Sequence, residues 1–231
     1  MTLLAADDSA ACYSLVENRW ICGSYLSDYR SEIVDATVQH VWITLVAVTI
    51  GLLIAVPLAV FARSHLSVEA SVLGSTTILY TIPSLAMFAI LLPFTGISVS
   101  AVIIGLVLYS LSILVRNTIA GLRAVPADAV ESALGLGYGR AGLLLKIELP
   151  LALPVIMAGL RVATVSTVAL TTVGAILGFG GLGNLLYDGV QKDFKAQVLV
   201  ASVLCVALAV VFDVLLVAVQ RMLTPWARAR T

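Results

Sequence analysis

Charge is scarce in this chain: 11% of its 231 residues are Asp, Glu, Lys or Arg, where soluble proteins carry about 25%. A composition so poor in charge excludes an ordinary water-soluble domain. Histidine is scarcer still. His40 and His65 are the only two, and they flank a single apolar run, so no histidine-based metal cluster can be assembled. No G-x-x-x-x-G-K-[ST] loop occurs, which excludes nucleotide binding by that device. G-x-S-x-G, H-E-x-x-H and paired acids within an apolar run are missing too, so the chain reads as non-catalytic, with no cofactor of its own. Three tryptophans, Trp20, Trp42 and Trp226, are too scattered to read as an aromatic cage, and the last two are placed like interface anchors. Basic residues are spread over short segments, which argues against nucleic acid as a partner.

What the chain has in quantity is apolar residues, 61% of the total. A hydrocarbon core about 30 Å thick takes about 20 apolar residues as helix. Five stretches reach that length: 41–62, 71–94, 97–115, 151–178 and 196–219, with Arg161 and Asp213 the only formal charges inside them. Backbone groups in lipid must pair internally, and runs this uniformly apolar do so as helices. The fold class expected is an all-α polytopic membrane protein with lipid as its surroundings.

Charge bias orients it. With the N-terminus outside and five crossings, the inner segments hold Arg63, Arg116, Arg123, Arg140, Lys146, Arg221, Arg228 and Arg230, eight in all; the outer ones hold Arg19, Arg30, Lys192 and Lys195, four. An excess of basic residues marks the inner side, so the expectation is N-out, C-in. Residues 1–40 then form an outer acidic tail, and 41–231 the transmembrane domain. The tail lacks the basic start and apolar core of a signal peptide, and Ser9–Cys12 resembles a lipidation box only by chance. Apolar residues at helical spacing (Tyr25, Tyr29, Ile33, Val34, Val38) suggest an interfacial helix leading into the first span. Cys12 and Cys22 either pair in the oxidising outer compartment or stay free in the tail. Cys205 reads as packing. The glycine-rich Gly178–Gly183 reads as a flexible outer turn.

Two features within the spans invite a function. Pro83, flanked by Tyr80, Thr81 and Ser84, reads as an interruption lining a path, whereas Pro57 reads as a packing kink. Arg161 and Asp213 are costly in a bilayer, about 2.5–3.5 kcal/mol each at its centre. Both fall in the inner half of their spans, and the expectation is a pair joining two helices rather than an ion relay.

The segment 116–150 is the longest polar stretch between spans. Pro126 and Asp128 suit a helix start. Val130, Ala133 and Leu134 form a stripe, and Gly135, Gly137 and Gly139 supply a turn. A second short helix from Arg140 carries Leu143, Leu144 and Ile147 on one side. The expectation is a helical hairpin on the inner membrane face.

Within this hairpin Glu131-Ser132-Ala133, three residues, Gly137, nine residues, then Ile147-Glu148-Leu149-Pro150 resembles the EAA motif of binding-protein-dependent ABC importer permeases, with Ser132 replacing the middle alanine. Residues 41–219 also resemble the osmoprotectant branch that serves glycine betaine, carnitine or choline, through "YTIPSLAMFAILLPFTGI", "LVRNTIAGLRAVPADAVESALGLG", "IELPLALPVIMAGLRVAT" and "GAILGFGGLGNL". The resemblance implies a MetI-like five-helix core and a second permease copy or paralogue. It also implies two ATP-binding subunits inside, which supply the ATP chemistry this chain lacks, and a substrate-binding protein outside. It makes the first helix of the hairpin the ATPase-coupling element, with Glu131 either capping the loop or contacting the ATPase. Methionine or another amino acid is the alternative cargo. A stand-alone carrier would place polar or ionisable groups at the midplane, in which these spans are poor, and five helices without an internal repeat would be small for one.

Overall fold

The computed structural model describes residues 12–14 and 17–226, so the lipidation-like Ser9–Ala11 and the basic Arg228 and Arg230 lie outside the described residues. Among the described residues there is no strand. Ten helices follow one another: α1 Gly23–Asp28, α2 Arg30–Ala62, α3 Leu66–Thr81, α4 Ser84–Thr95, α5 Val99–Arg123, α6 Ala127–Gly135, α7 Arg140–Leu143, α8 Leu149–Thr171, α9 Leu182–Gln191 and α10 Lys195–Leu223. A π-helical turn, Leu144–Glu148, joins α7 to α8, and a 3-10 turn, Thr172–Leu177, follows α8.

Helix α5 is the central post. It packs against α2, α3, α4 and α8, and it buries Leu106, Leu111, Leu114, Val115 and Ile119. Close helix approach in lipid needs small residues, because no water-driven force presses the helices together. Gly121 of α5 lies against the Ala152 carbonyl of α8, and Gly159 of α8 against Asn117 of α5; a Cβ on either would come within 3 Å of those atoms. By contrast α10 turns Val206, Val210 and Val214 outward.

The second apolar run departs from a single crossing. Ile82 and Pro83 are extended, and α3 and α4 meet there at 99°. Pro83 has no N–H to continue the ladder, and its ring pushes Ile82 out of the helical region. The freed Ile82 carbonyl accepts a hydrogen bond from the Tyr109 hydroxyl of α5, as lipid requires of an interrupted helix. At 1.5 Å per residue the halves of 16 and 12 residues measure about 24 and 18 Å, so neither crosses alone. Among the described residues four helices are long and apolar enough to span, five if the bent pair counts as one.

Three further boundaries differ from expectation. Helix α5 runs on to Arg123, so Arg116 lies on the helix and not in a loop. The second helix of the hairpin is no separate element, because α7 and the π-helical turn lead directly into α8, with Pro150 in its first turn, where a missing N–H is tolerated. The tail helix is likewise continuous with the first span: α2 starts at Arg30, directly after the short α1.

Gly180, Gly181 and Gly183 are packed rather than flexible, whereas Gly178 is exposed. Gly181 has φ +57°, and its amide donates to Gln39 Oε1 at 3.2 Å. A Cβ there would meet His40 at 2.6 Å, and one at Gly183 would meet the Thr172 backbone at 2.4 Å. His40 is fully buried, with Nε2 3.1 Å from the Val168 carbonyl oxygen. Helix α9 follows, amphipathic and missed in the sequence, where glycines and a charge-rich end hid its short apolar stripe.

Candidate functional site

The EAA residues gather at the end of the bundle that carries Arg63 and Arg123. Helix α6 begins after Pro126 and closes in a glycine turn. The Tyr138 amide donates to the Ala133 carbonyl and the Gly137 amide to the Leu134 carbonyl, with Gly137 at φ +84°. This 6→1 and 5→2 pair is the Schellman closure, whose left-handed residue favours glycine.

Of the expected stripe of Val130, Ala133 and Leu134, Ala133 is buried, Val130 is half-buried and Leu134 is 53% exposed; Leu136, just beyond the helix, is 80% exposed. The turn rotates these leucines outward. Ser132 and Ala133 share a cavity of about 390 Å³ with Ile147, Pro150 and Trp226. Leu149 packs beside the buried cluster of Leu122, Ala152 and Ile156. Glu131 is exposed and makes no hydrogen bond or ion pair among the described residues, so it does not cap the loop.

Two ion pairs that sequence reasoning missed brace this end. Arg63, just after α2, grips Glu148 through two bonds, Nη1 to Oε1 at 2.9 Å and Nη2 to Oε2 at 2.5 Å. Glu148 is buried and lies inside the EAA motif. Arg123 reaches the buried Glu69 at 2.5 Å, tying α5 to the first turn of α3. The only sequence signal for either pair was an acid and a base on the same side of the membrane.

Arg161 and Asp213 also meet. The guanidinium of α8 donates from Nε to Oδ1 at 2.8 Å and from Nη2 to Oδ2 at 2.9 Å on α10. Tyr80, Pro83 and Ser84 surround the break between α3 and α4, and the Tyr80 ring lies edge-on to Tyr109 at 5.9 Å. The contacts do not join this break to the Arg161–Asp213 pair.

The opposite end holds a second polar cluster. Cys12 and Cys22 form a disulfide, which decides between the two states left open by the sequence. Asn18 donates from Nδ2 to the Asp193 carbonyl at 2.5 Å and accepts from the Lys195 amide at 3.0 Å. The segment before α1 is thereby fastened to the turn between α9 and α10. Burial pushes the Tyr25 hydroxyl up to about 12. The Asp28 carboxylate, bonded at 2.8 Å to the Tyr13 hydroxyl, raises that phenol, and Asp188 raises Lys192 in the same way. Among the described residues there is no group of three or more metal-ligating side chains.

Residues 39–229 match the family described as the binding-protein-dependent transport system inner membrane component. The chain belongs to that family. Relatives of this permease include the choline transport system permease protein OpuBB of Bacillus subtilis, 35% identical over 87% of this chain and 93% of the relative. Another is the osmoprotectant import permease protein OsmW of Salmonella typhimurium, 37% identical over 87% of this chain and 96% of that protein. Among solved structures, an inward-facing MetNI methionine ABC transporter chain aligns with a TM-score of 0.75 at 22% identity, covering 85% of this permease and 98% of that chain. At that identity the likeness is one of fold. The expected MetI-like all-α membrane architecture is therefore the architecture of this permease.

Proposed function

We propose that this permease subunit carries quaternary-ammonium osmoprotectants, such as choline, glycine betaine or carnitine, inward through an importer driven by a separate ATPase that docks on α6. The observation that carries the docking role is α6 itself: a short helix closed by Gly137, with Glu131 unpartnered and Leu134 and Leu136 turned outward. An exposed apolar pair and an unpaired carboxylate at one short helix support a docking role there.

The cargo follows from the relatives, choline and osmoprotectant permeases similar along most of their length. Charge bias orients α6 toward the inside and the Cys12–Cys22 disulfide toward the outside. A second permease copy or paralogue, two ATPase subunits and an outer substrate-binding protein complete the assembly.

The coupling mechanism needs no chemistry from this chain. Closure of the ATPase pair displaces α6. Gly137 and the Arg63–Glu148 pair transmit the displacement, because Glu148 lies where the hairpin enters α8 and Arg63 lies where α2 ends. Rigid-body rocking of packed helices is a two-state change that ATP can bias. The test is cysteine cross-linking from Leu134 or Leu136 to the co-expressed ATPase. A cross-link formed at these positions and absent from a control cysteine at Val210 is the expected result; no ATPase in the cross-linked product sinks the docking role.

A further inference from the structure

The end of the bundle that carries the disulfide contains a cavity of about 510 Å³ that the coupling scheme does not use. Tyr13, Tyr29 and Phe194 contribute its aromatic walls. They pack around the fully buried Tyr25, with ring centroids 4.8–6.3 Å apart. These rings come from three chain segments, the first two joined by the Cys12–Cys22 disulfide and the third reached by Asn18.

The charge of the lining is uneven. Glu32, Asp188 and Asp193 face one cation, Lys192. Lys192 is taken by Asp188 at 2.8 Å, and Asp193 has a weak donor in Asn18 at 3.4 Å. Glu32 has neither hydrogen bond nor ion pair among the described residues, and Lys192 feels its charge only at longer range. Below the rings the Tyr25 hydroxyl is fully buried and has no hydrogen-bond partner. The carboxylates that act on it, Glu32 and Asp188, are those of the cavity. A carboxylate with no bonded partner and three aromatic rings together favour a positive guest that asks for no hydrogen-bond acceptor.

We propose that this outer cavity is an organic-cation subsite that holds a quaternary ammonium group against Tyr29 and Phe194, with Glu32 as its counter-charge. A quaternary ammonium donates no conventional hydrogen bond, so ring quadrupoles and a diffuse negative field are what can hold it. The volume lies within the range of small-ligand sites, about 300–1,000 Å³. Placed on the side where cargo arrives, it gives the permease a low-affinity station of its own. This rests on the orientation and cargo class proposed above.

The probes are tetramethylammonium, choline and 3,3-dimethylbutan-1-ol, the neutral carbon isostere of choline. They are applied to the purified permease–ATPase complex in nanodiscs without binding protein, and contact is read by saturation-transfer NMR and titration. Both cations should bind and the neutral isostere should not. Glu32→Gln, an exposed change that leaves the ring cluster intact, and Tyr29→Leu should each weaken cation binding about fivefold, with Tyr29→Phe near wild type. Binding of the isostere equal to that of choline, or cation affinity unchanged in Glu32→Gln and Tyr29→Leu, overturns the subsite. ATP-driven choline uptake by the complete importer separates the two readings. Cation binding without uptake removes the cargo assignment and leaves the subsite; uptake without cation binding at the permease does the reverse.

Discussion

Glu148, inside the EAA motif, is held by Arg63 at the end of the first long helix through two bonds of 2.9 and 2.5 Å. The motif is therefore not a loop hanging from the bundle. Its second half is the root of α8, fastened sideways to α2.

Removing one member of a largely buried pair leaves the other charge uncompensated, at a cost of several kcal/mol when burial is complete. Arg63 keeps 26% of its side chain exposed and Glu148 11%, so the loss for Glu148→Gln is smaller, about 1–3 kcal/mol. Thermal melting of the purified permease should fall accordingly, with Arg63→Met/Glu148→Met less damaged than either single change. Wild-type melting of Glu148→Gln would show that the contact contributes nothing.

Arg161 and Asp213 join α8 to α10 in the same two-point geometry, with about a third of each side chain exposed. Single neutralisations, Arg161→Leu or Asp213→Leu, should lower membrane abundance and stability by about 1–2 kcal/mol. A double-mutant cycle should return positive coupling, and the swapped pair Arg161→Asp/Asp213→Arg should recover part of the loss. If the swap restores nothing, the pairing is not what these residues supply.

Gly137 at φ +84° closes α6 with an amide bonded to the Leu134 carbonyl. Proline cannot adopt that conformation and has no N–H to give. Gly137→Pro should leave the protein in the membrane, because the turn is exposed, while uptake per ATP hydrolysed falls about tenfold or more. Glu131→Lys, which reverses a free charge on the same helix, should do likewise without altering the turn. Wild-type coupling in both variants would remove α6 from the transmission path.

The Tyr25 hydroxyl, pushed by burial from its ordinary 10.0 to about 12, makes the outer cap sensitive to alkali. A raised folded value means that its stabilising contribution is complete below about pH 10 and is lost as pH climbs through about 12. Melting temperature should drop over that window in the wild type and drop less in Tyr25→Phe, which keeps the ring and deletes the unpartnered hydroxyl. Identical alkaline profiles for the two proteins would assign the loss elsewhere.

What the sequence revealed was what short-range chemistry encodes. Long apolar runs announced the spans, and fixed spacing from Glu131 to Pro150 announced the segment proposed to meet the ATPase. Pro83 was visible as a break, but not the Tyr109 hydroxyl that meets the freed Ile82 carbonyl from 27 residues away on another helix. The braces Arg63–Glu148 and Arg123–Glu69 join residues 85 and 54 positions apart, and no local pattern couples them. Glycines 178–183 looked mobile because glycine is usually read as freedom. Here its missing side chain lets His40 and Thr172 approach. The outer aromatic cluster was hidden for the same reason, since Phe194 meets Tyr13 and Tyr25 only after folding.

The most direct test is choline accumulation in proteoliposomes holding this permease, its ATPase and its binding protein, with hydrolysis measured in the same vesicles. The account predicts uptake against a gradient with ATP, none with a non-hydrolysable analogue, and hydrolysis without uptake in Glu131→Lys. Choline entry that continues without hydrolysis, or that Glu131→Lys leaves fully coupled, would contradict it.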